Sequence, residues 1–193
     1  MGRRSELVFK LFKETTPQLR DPLMRFKRQR LNQDIVIALS EEAIEFLEMI
    51  SPQVGIQAEY LVAAAMTISN LNPFTIWFES DTLEGMIPEL IEEKIPPQYW
   101  FWCASELGIF GVFGIDALKL GYDKNPANLL CDRFECAKYG AMKLKHYISR
   151  NNDPIRGIVR YCMKYTKFRF KDEGELKEQI EICSDAYRKL CEG

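Results

Sequence analysis

Histidine is almost missing from this chain: among 193 residues, only His146 carries an imidazole. Cysteine occurs six times, at Cys103, Cys131, Cys136, Cys162, Cys183 and Cys191, but never as a CxxC pair. Zinc is held by Cys and His clustered at short spacing, so no metal site is expected, and no cofactor. The same shortage leaves Cys131, Cys136 and Cys162 without the His or Asp company that activates a thiol nucleophile. No apolar run reaches membrane-spanning length. Arg3 and Arg4 are not followed by a continuous apolar stretch, which argues against a secretory signal. Without an export signal the cysteines are expected to be reduced, with a Cys183–Cys191 disulfide left open. Internal repeats and low-complexity runs are also lacking, and few segments alternate as strands do.

What is present is enough apolar material for a real core, 47% hydrophobic and 12% aromatic. The net charge is only -2, yet it is unevenly spread. Residues 1–30 carry nine Lys or Arg against Glu6, Glu14 and Asp21, a local balance of +6, which leaves -8 on the remainder. Two readings of this basic segment stand. It docks, over residues 1–34, on an acidic partner, which is a protein before a nucleic acid or a membrane surface, or it is an amphipathic helix folded back on the acidic body of its own chain.

The periodicity is helical nearly throughout. Ser5 is placed to cap a first helix with Leu7, Val8, Leu11 and Phe12 on one face, ending before Pro17. Ser40 reads as an N-cap with Glu41 and Glu42 in the first turn, and that helix is expected to stop at Ser51-Pro52. A strongly apolar helix follows from Ile56 to about Asn70, with Tyr60, Leu61, Ala64, Ala65 and Ile68 buried. Residues 73–105 read as the least regular part. They hold Pro88, Pro96, Pro97 and seven aromatics (Phe74, Trp77, Phe78, Tyr99, Trp100, Phe101, Trp102), more readily packing than a stacking platform. Helices are expected from Asp132 to about Ser149, from Pro154 to about Lys164, and from about Glu175 to Cys191, the last burying Leu176, Ile180, Cys183, Tyr187 and Leu190. Asp116 and Asp132 read as helix-start residues, and His146 as a surface group near a helix end. The sum is an all-α chain: a basic helical extension over 1–40 and a helical domain over 41–193.

The stretch 107–144 carries the densest signal. Gly108, Gly111 and Gly114 make a corner, since glycine alone combines positive φ with almost no side-chain volume. A short helix then runs to a stop at Gly121, and Asn125-Pro126 opens the next turn. Corners of this kind line clefts or merely bend the chain.

Taken in order, the segments resemble the lysozyme-like domain of soluble lytic transglycosylases, in the form found in phage and related bacterial proteins. That family carries a helix ending in Glu-Ser with Asn-Pro shortly after, an aromatic segment and a Gly-Leu-Met-Gln corner. A helix closed by Leu-Gly-Phe or Leu-Gly-Tyr, an acidic turn before a Tyr-Gly helix, and an Ala-Tyr-Asn segment follow. Here the corresponding pieces are Ile68-Ser69 with Asn72-Pro73, the aromatics from Phe74 to Phe78, and Gly108 to Gly114. Leu120-Gly121-Tyr122, Asp132 with Tyr139-Gly140, and Arg160-Tyr161-Cys162 complete the series. The resemblance spans residues 55–165 in one register and implies a lysozyme-like fold, with Ile68, Ser69, Gly108, Gly111, Tyr161 and Cys162 along the substrate cleft.

The departures fall on the chemistry. Where the family has its catalytic Glu, this chain has Ile68; Gly111 replaces the corner Gln, and Cys162 the final Asn. Glycosidic cleavage needs a proton delivered to the leaving oxygen by a positioned acid, and its loss costs on the order of 10²–10⁴ in rate. Members of the family complete the reaction with the sugar's own hydroxyl, so no second carboxylate takes over. Glu106 and Glu79 are the fallback acids. The resemblance thus implies a catalytically degenerate protein with a structural or interaction role, encoded by a phage and placed in the host cytoplasm or virion, with peptidoglycan glycan as a remaining ligand. The alternative is an active peptidoglycan lytic transglycosylase or muramidase with its acid relocated to Glu106 or Glu79.

Overall fold

The apolar run at 61–69 becomes the middle of the protein. In the computed structural model, which describes residues 33–165, 170 and 172–192, every residue from Leu61 to Ser69 is buried. A helix apolar on all sides has no solvent face to present, so other helices must surround it. Helix α1 (Gln33–Val54) turns the stripe Ala43, Ile44, Leu47, Ile50 and Val54 inward. It leads into the central helix α2 (Ala58–Ser69). Later in the chain, α6 (Arg133–Ser149), α7 (Pro154–Tyr165) and α8 (Glu173–Glu192) close around it. The packing of α2 is most extensive against α8, then α7 and α1. These helices share one core containing Leu61, Ile68, Phe110, Leu144, Tyr161 and Ile180.

Between α2 and α6 the chain builds a smaller lobe. It contains β1 (Ile76–Trp77), α3 (Ser80–Glu92), a 3₁₀ turn (Pro97–Tyr99) and α4 (Trp100–Cys103). Strands β2 (Glu106–Leu107) and β3 (Val112–Phe113) follow, then α5 (Gly114–Lys119) and a second 3₁₀ turn (Pro126–Leu130). The strands form an antiparallel sheet in the order β1-β2-β3, with Trp77 opposite Glu106 and Glu106 opposite Phe113. The lobe has a core of its own, Leu90, Cys103, Phe113 and Ile115, flanked by Leu83, Met86 and Trp100. The described chain is therefore mostly helical, with one small sheet.

Local signals hold at several helix ends. Asp132 caps α6 by accepting from the Glu135 N–H at 3.0 Å, and Asn125 accepts from Ala127 at the start of the second 3₁₀ turn. Asp153 accepts from Ile155 as α7 begins. After α5, Gly121 stands at φ +98°.

Several expectations fail. Ser40 is not an N-cap, because α1 begins at Gln33 and passes through it; no breaker precedes Ser40 in that stretch. Nor does Ser51-Pro52 stop α1. Pro52 lies inside the helix, and the chain leaves it only at Gly55, φ +67°. A proline so near the end forfeits one backbone bond, whereas continuing lets Ile50 and Val54 bury on the same stripe. Residues 73–105, expected to be irregular, contain the 13-residue α3 with Pro88 inside it. Pro88 is exposed, while Leu83, Met86 and Leu90 pack inward at helical spacing and hold the turns on either side of it. Tyr60 and Leu190, both expected to be buried, are only half-buried. The helix expected from Ser5 lies outside the described residues.

Candidate functional site at the glycine corner

The corner connects β2 to β3 and lies against three helices of the body. Gly108 (φ +69°) and Gly111 (φ +61°) adopt left-handed backbone, and their chain segment is bonded on two sides. From the end of α2, the Ser69 hydroxyl lies 2.9 Å from the Ile109 carbonyl oxygen and 3.1 Å from that of Ala65. From α7, the Tyr161 hydroxyl donates to the Phe110 carbonyl at 2.8 Å. The approach from α6 is closer still. A Cβ at Gly108 would stand 2.4 Å from Cys136 Sγ, and one at Gly140 would stand 2.6 Å from Phe110 Cβ. Residues far apart in sequence thus converge on a few backbone atoms, and glycine on both sides is what permits the contact.

All six positions assigned to a cleft are buried: Ile68, Ser69, Gly108, Gly111, Tyr161 and Cys162. Ile68 exposes 4% of its surface and shares the apolar core with Ile109, Phe110 and Cys162. Cys162 lies fully inside, where burial pushes its thiol far up and keeps it neutral. The polar groups that remain, the hydroxyls of Ser69 and Tyr161, face the carbonyls of the corner. This arrangement fixes a backbone bend; it does not present a donor to a ligand.

The fallback acids lie elsewhere. Glu106 is half-buried on β2, two residues before the corner and between Trp77 and Phe113 in the sheet. Glu79 is exposed just before α3 and accepts from the Trp77 indole N–H at 3.1 Å. Behind the sheet, Asp116 accepts from Lys143 at 2.7 Å, its carboxylate 14% exposed. The nearby Lys164 ammonium sits 4.5 Å over the Phe113 ring. Although the residue as a whole is exposed, partial desolvation beside that ring lowers its affinity for a proton, with the carboxylates of Asp116 and Glu106 pulling the other way. His146 is exposed in the last turn of α6. Among the described residues no disulfide is formed; Cys131 and Cys191 are exposed and the other four cysteines buried.

An open pocket of about 440 Å³ lies at the start of α6, lined among others by Tyr122, Lys124, Asn128 and Arg133. Two of its charged groups are already engaged: Asp132 caps α6, and Arg133 pairs with Glu42 at 2.7 Å. Among the described residues, no group of three or more His, Cys, Asp or Glu is arranged to hold a metal ion, and no helix is long and apolar enough to cross a membrane.

Sequence reasoning missed the aromatic surface of the lobe. Of the seven aromatics expected to be packing, Phe74, Trp77, Phe78 and Phe101 stay exposed, and Ile76 with them. Phe78 and Phe101 stack at 4.6 Å, and Phe101 meets Trp102 edge-on at 4.9 Å. The signal was the two-residue spacing of Phe74, Ile76 and Phe78 in a stretch too short to be covered on both faces.

No protein-family model, no curated protein and no solved structure matches this chain.

Proposed function

We propose that this protein is a catalytically inert form of the lysozyme-like lytic-transglycosylase fold, serving a phage as a structural or interaction component. The observation that carries the reading is the environment of Ile68. It sits where the resemblance would put the general acid, sealed in an apolar core at 4% exposure, with the neighbouring hydroxyls facing backbone carbonyls. A glycosidic acid must reach the leaving oxygen of a bound sugar, and a buried isoleucine neither reaches it nor has a proton to give. Further support comes from the corner itself. The three segments likened to Glu-Ser, Gly-Leu-Met-Gln and Ala-Tyr-Asn meet there, joined by the Ser69–Ile109 and Tyr161–Phe110 contacts.

The test is digestion of purified peptidoglycan sacculi by the full chain, with muropeptides separated and weighed. The expected result is no soluble anhydro- or reducing-end product above a no-protein control. Product release that disappears in Glu106→Gln or Glu79→Gln would replace this reading with that of an active enzyme using a relocated acid.

A further inference from the structure

The exposed aromatics of β1 do not stand alone; they border a strongly acidic helix. From Glu79 to Glu93 the chain carries Glu79, Asp81, Glu84, Glu89, Glu92 and Glu93 and no basic residue. Lys119 pairs with Glu89 and approaches Glu93 at 3.6 Å. Among the described residues, no ion pair is formed by Glu79, Asp81, Glu84 or Glu92. Beside them, Trp77 exposes 54% and Phe74 53% of their surfaces. Among the described residues, strand β1 is also an edge strand, paired with β2 alone. An apolar edge rimmed by one sign of charge is the composition of a docking surface, and its complement is an extended or helical segment with cationic and apolar side chains.

The chain supplies that complement. Residues 1–30 carry a balance of +6 with Leu7, Val8, Leu11 and Phe12 among the charges, against six acidic residues over 79–93. The two also lie within reach of each other. Arg133 joins the regions, pairing with Glu42 of α1 at 2.7 Å while its guanidinium lies 5.6 Å over the Phe74 ring. Glu42 is nine residues into α1, about 13 Å along the helix axis. The 32 residues ahead of α1 extend at up to about 3.3 Å each, far more than needed to return to the patch.

We infer that residues 1–30 dock on the β1–α3 face of their own chain, placing apolar side chains on Phe74, Trp77 and Phe101 and cations against Glu79, Asp81, Glu84 and Glu92. The basic segment then covers this surface instead of reaching for a separate acidic partner.

Zero-length carbodiimide cross-linking of the intact full chain tests this, using an equal mixture of ordinary and ¹⁵N-labelled protein at low micromolar concentration. The expected products are amides joining Lys10, Lys13 or Lys27 to acids of 79–93 within single copies. In Trp77→Ser/Phe101→Ser, which alters only exposed side chains and should keep its circular dichroism, their yield should fall several-fold. Four results would overturn the inference. Links formed mainly between labelled and unlabelled copies would assign the face to a second molecule. Links from the segment to acids elsewhere would move its site. No links from the segment would point to a counterpart outside the chain. An unchanged yield in the folded double variant would remove the aromatic contact.

Discussion

Two stretches rich in large apolar side chains are handled in opposite ways. Along α2, every residue from Leu61 to Ser69 is buried, whereas between Asn72 and Trp102 only Pro73 and Leu90 are. The body packs α1, α7 and α8 on its apolar helix, with α6 joining the same core, so each side chain there is counted in area removed from water, at roughly 25 cal/mol per Å². The lobe has no such wall. It holds to the body through the glycine corner and a small core in which Leu107, Val112, Tyr122 and Leu129 meet Cys136 and Tyr139 of α6, has four buried residues as a core of its own, and leaves most of its aromatics facing outward. Apolar content therefore says how much can be buried, while the number of elements that fold back over it says how much is. It follows that the lobe should open locally at lower free energy than the body.

Substitutions graded across the two regions test this contrast. The largest effect is expected from Ile68→Glu, which restores the carboxylate that the resemblance places there. An unpaired charge in that core should cost about 3–5 kcal/mol in urea denaturation and yield no lytic activity. A variant as stable as the parent would mean that the position is solvated and that the body is not closed there.

Next come the corner contacts. Gly140→Ala drives a methyl to within 2.6 Å of Phe110 Cβ, an overpacking worth about 1–3 kcal/mol. Tyr161→Phe removes the donor to the Phe110 carbonyl and should cost about 1–3 kcal/mol by the same measurement. Since both act on Phe110, the double variant should be less destabilised than the sum of the two.

Alkaline pH should act on buried thiols and phenols of both regions. Burial raises Cys103 from 9.0 to about 11, Cys136 to about 12 and the Tyr122 phenol to about 12. The folded state thus holds protons that the unfolded chain gives up first. Stability from these groups is full below pH 9 and is lost as pH rises toward 11–12, which thermal melts across that range would register. At pH 8 a thiol reagent should titrate Cys131 and Cys191 quickly, and the remaining four only on unfolding. The smallest effect is expected at the lobe surface, where Trp77→Ser loses only its contact with the docked first segment and should change global stability by about 1 kcal/mol or less. A loss as large as that of Gly140→Ala would show that the face is closed by more than that contact.

Much of the helical layout is written locally. Asp132, Asn125 and Asp153 each accept from a backbone N–H two or three residues on, so their capping roles needed no knowledge of distant chain. The 61–69 run announces a central helix because nothing on it could face water. Ser40 and Pro52 are as plain as signals, yet they misled, because a cap or a breaker is weighed against the burial of Ile44, Leu47, Ile50 and Val54 along one face. The corner was visible through its glycines and its likeness to a known motif. That Ser69 and Tyr161 would face its carbonyls was not, since those pairs are 40 and 51 residues apart.

By itself, then, the sequence determined most of the later helices, a central apolar helix, a glycine bend and a cationic first segment. Each rests on residue chemistry acting within a turn or two of helix. Tertiary structure decided that the six supposed cleft positions would be buried and that the aromatics of 74–101 would be left in the open. Which face of a segment meets water depends on what other elements are available to cover it, and that is settled only when distant parts of the chain arrive.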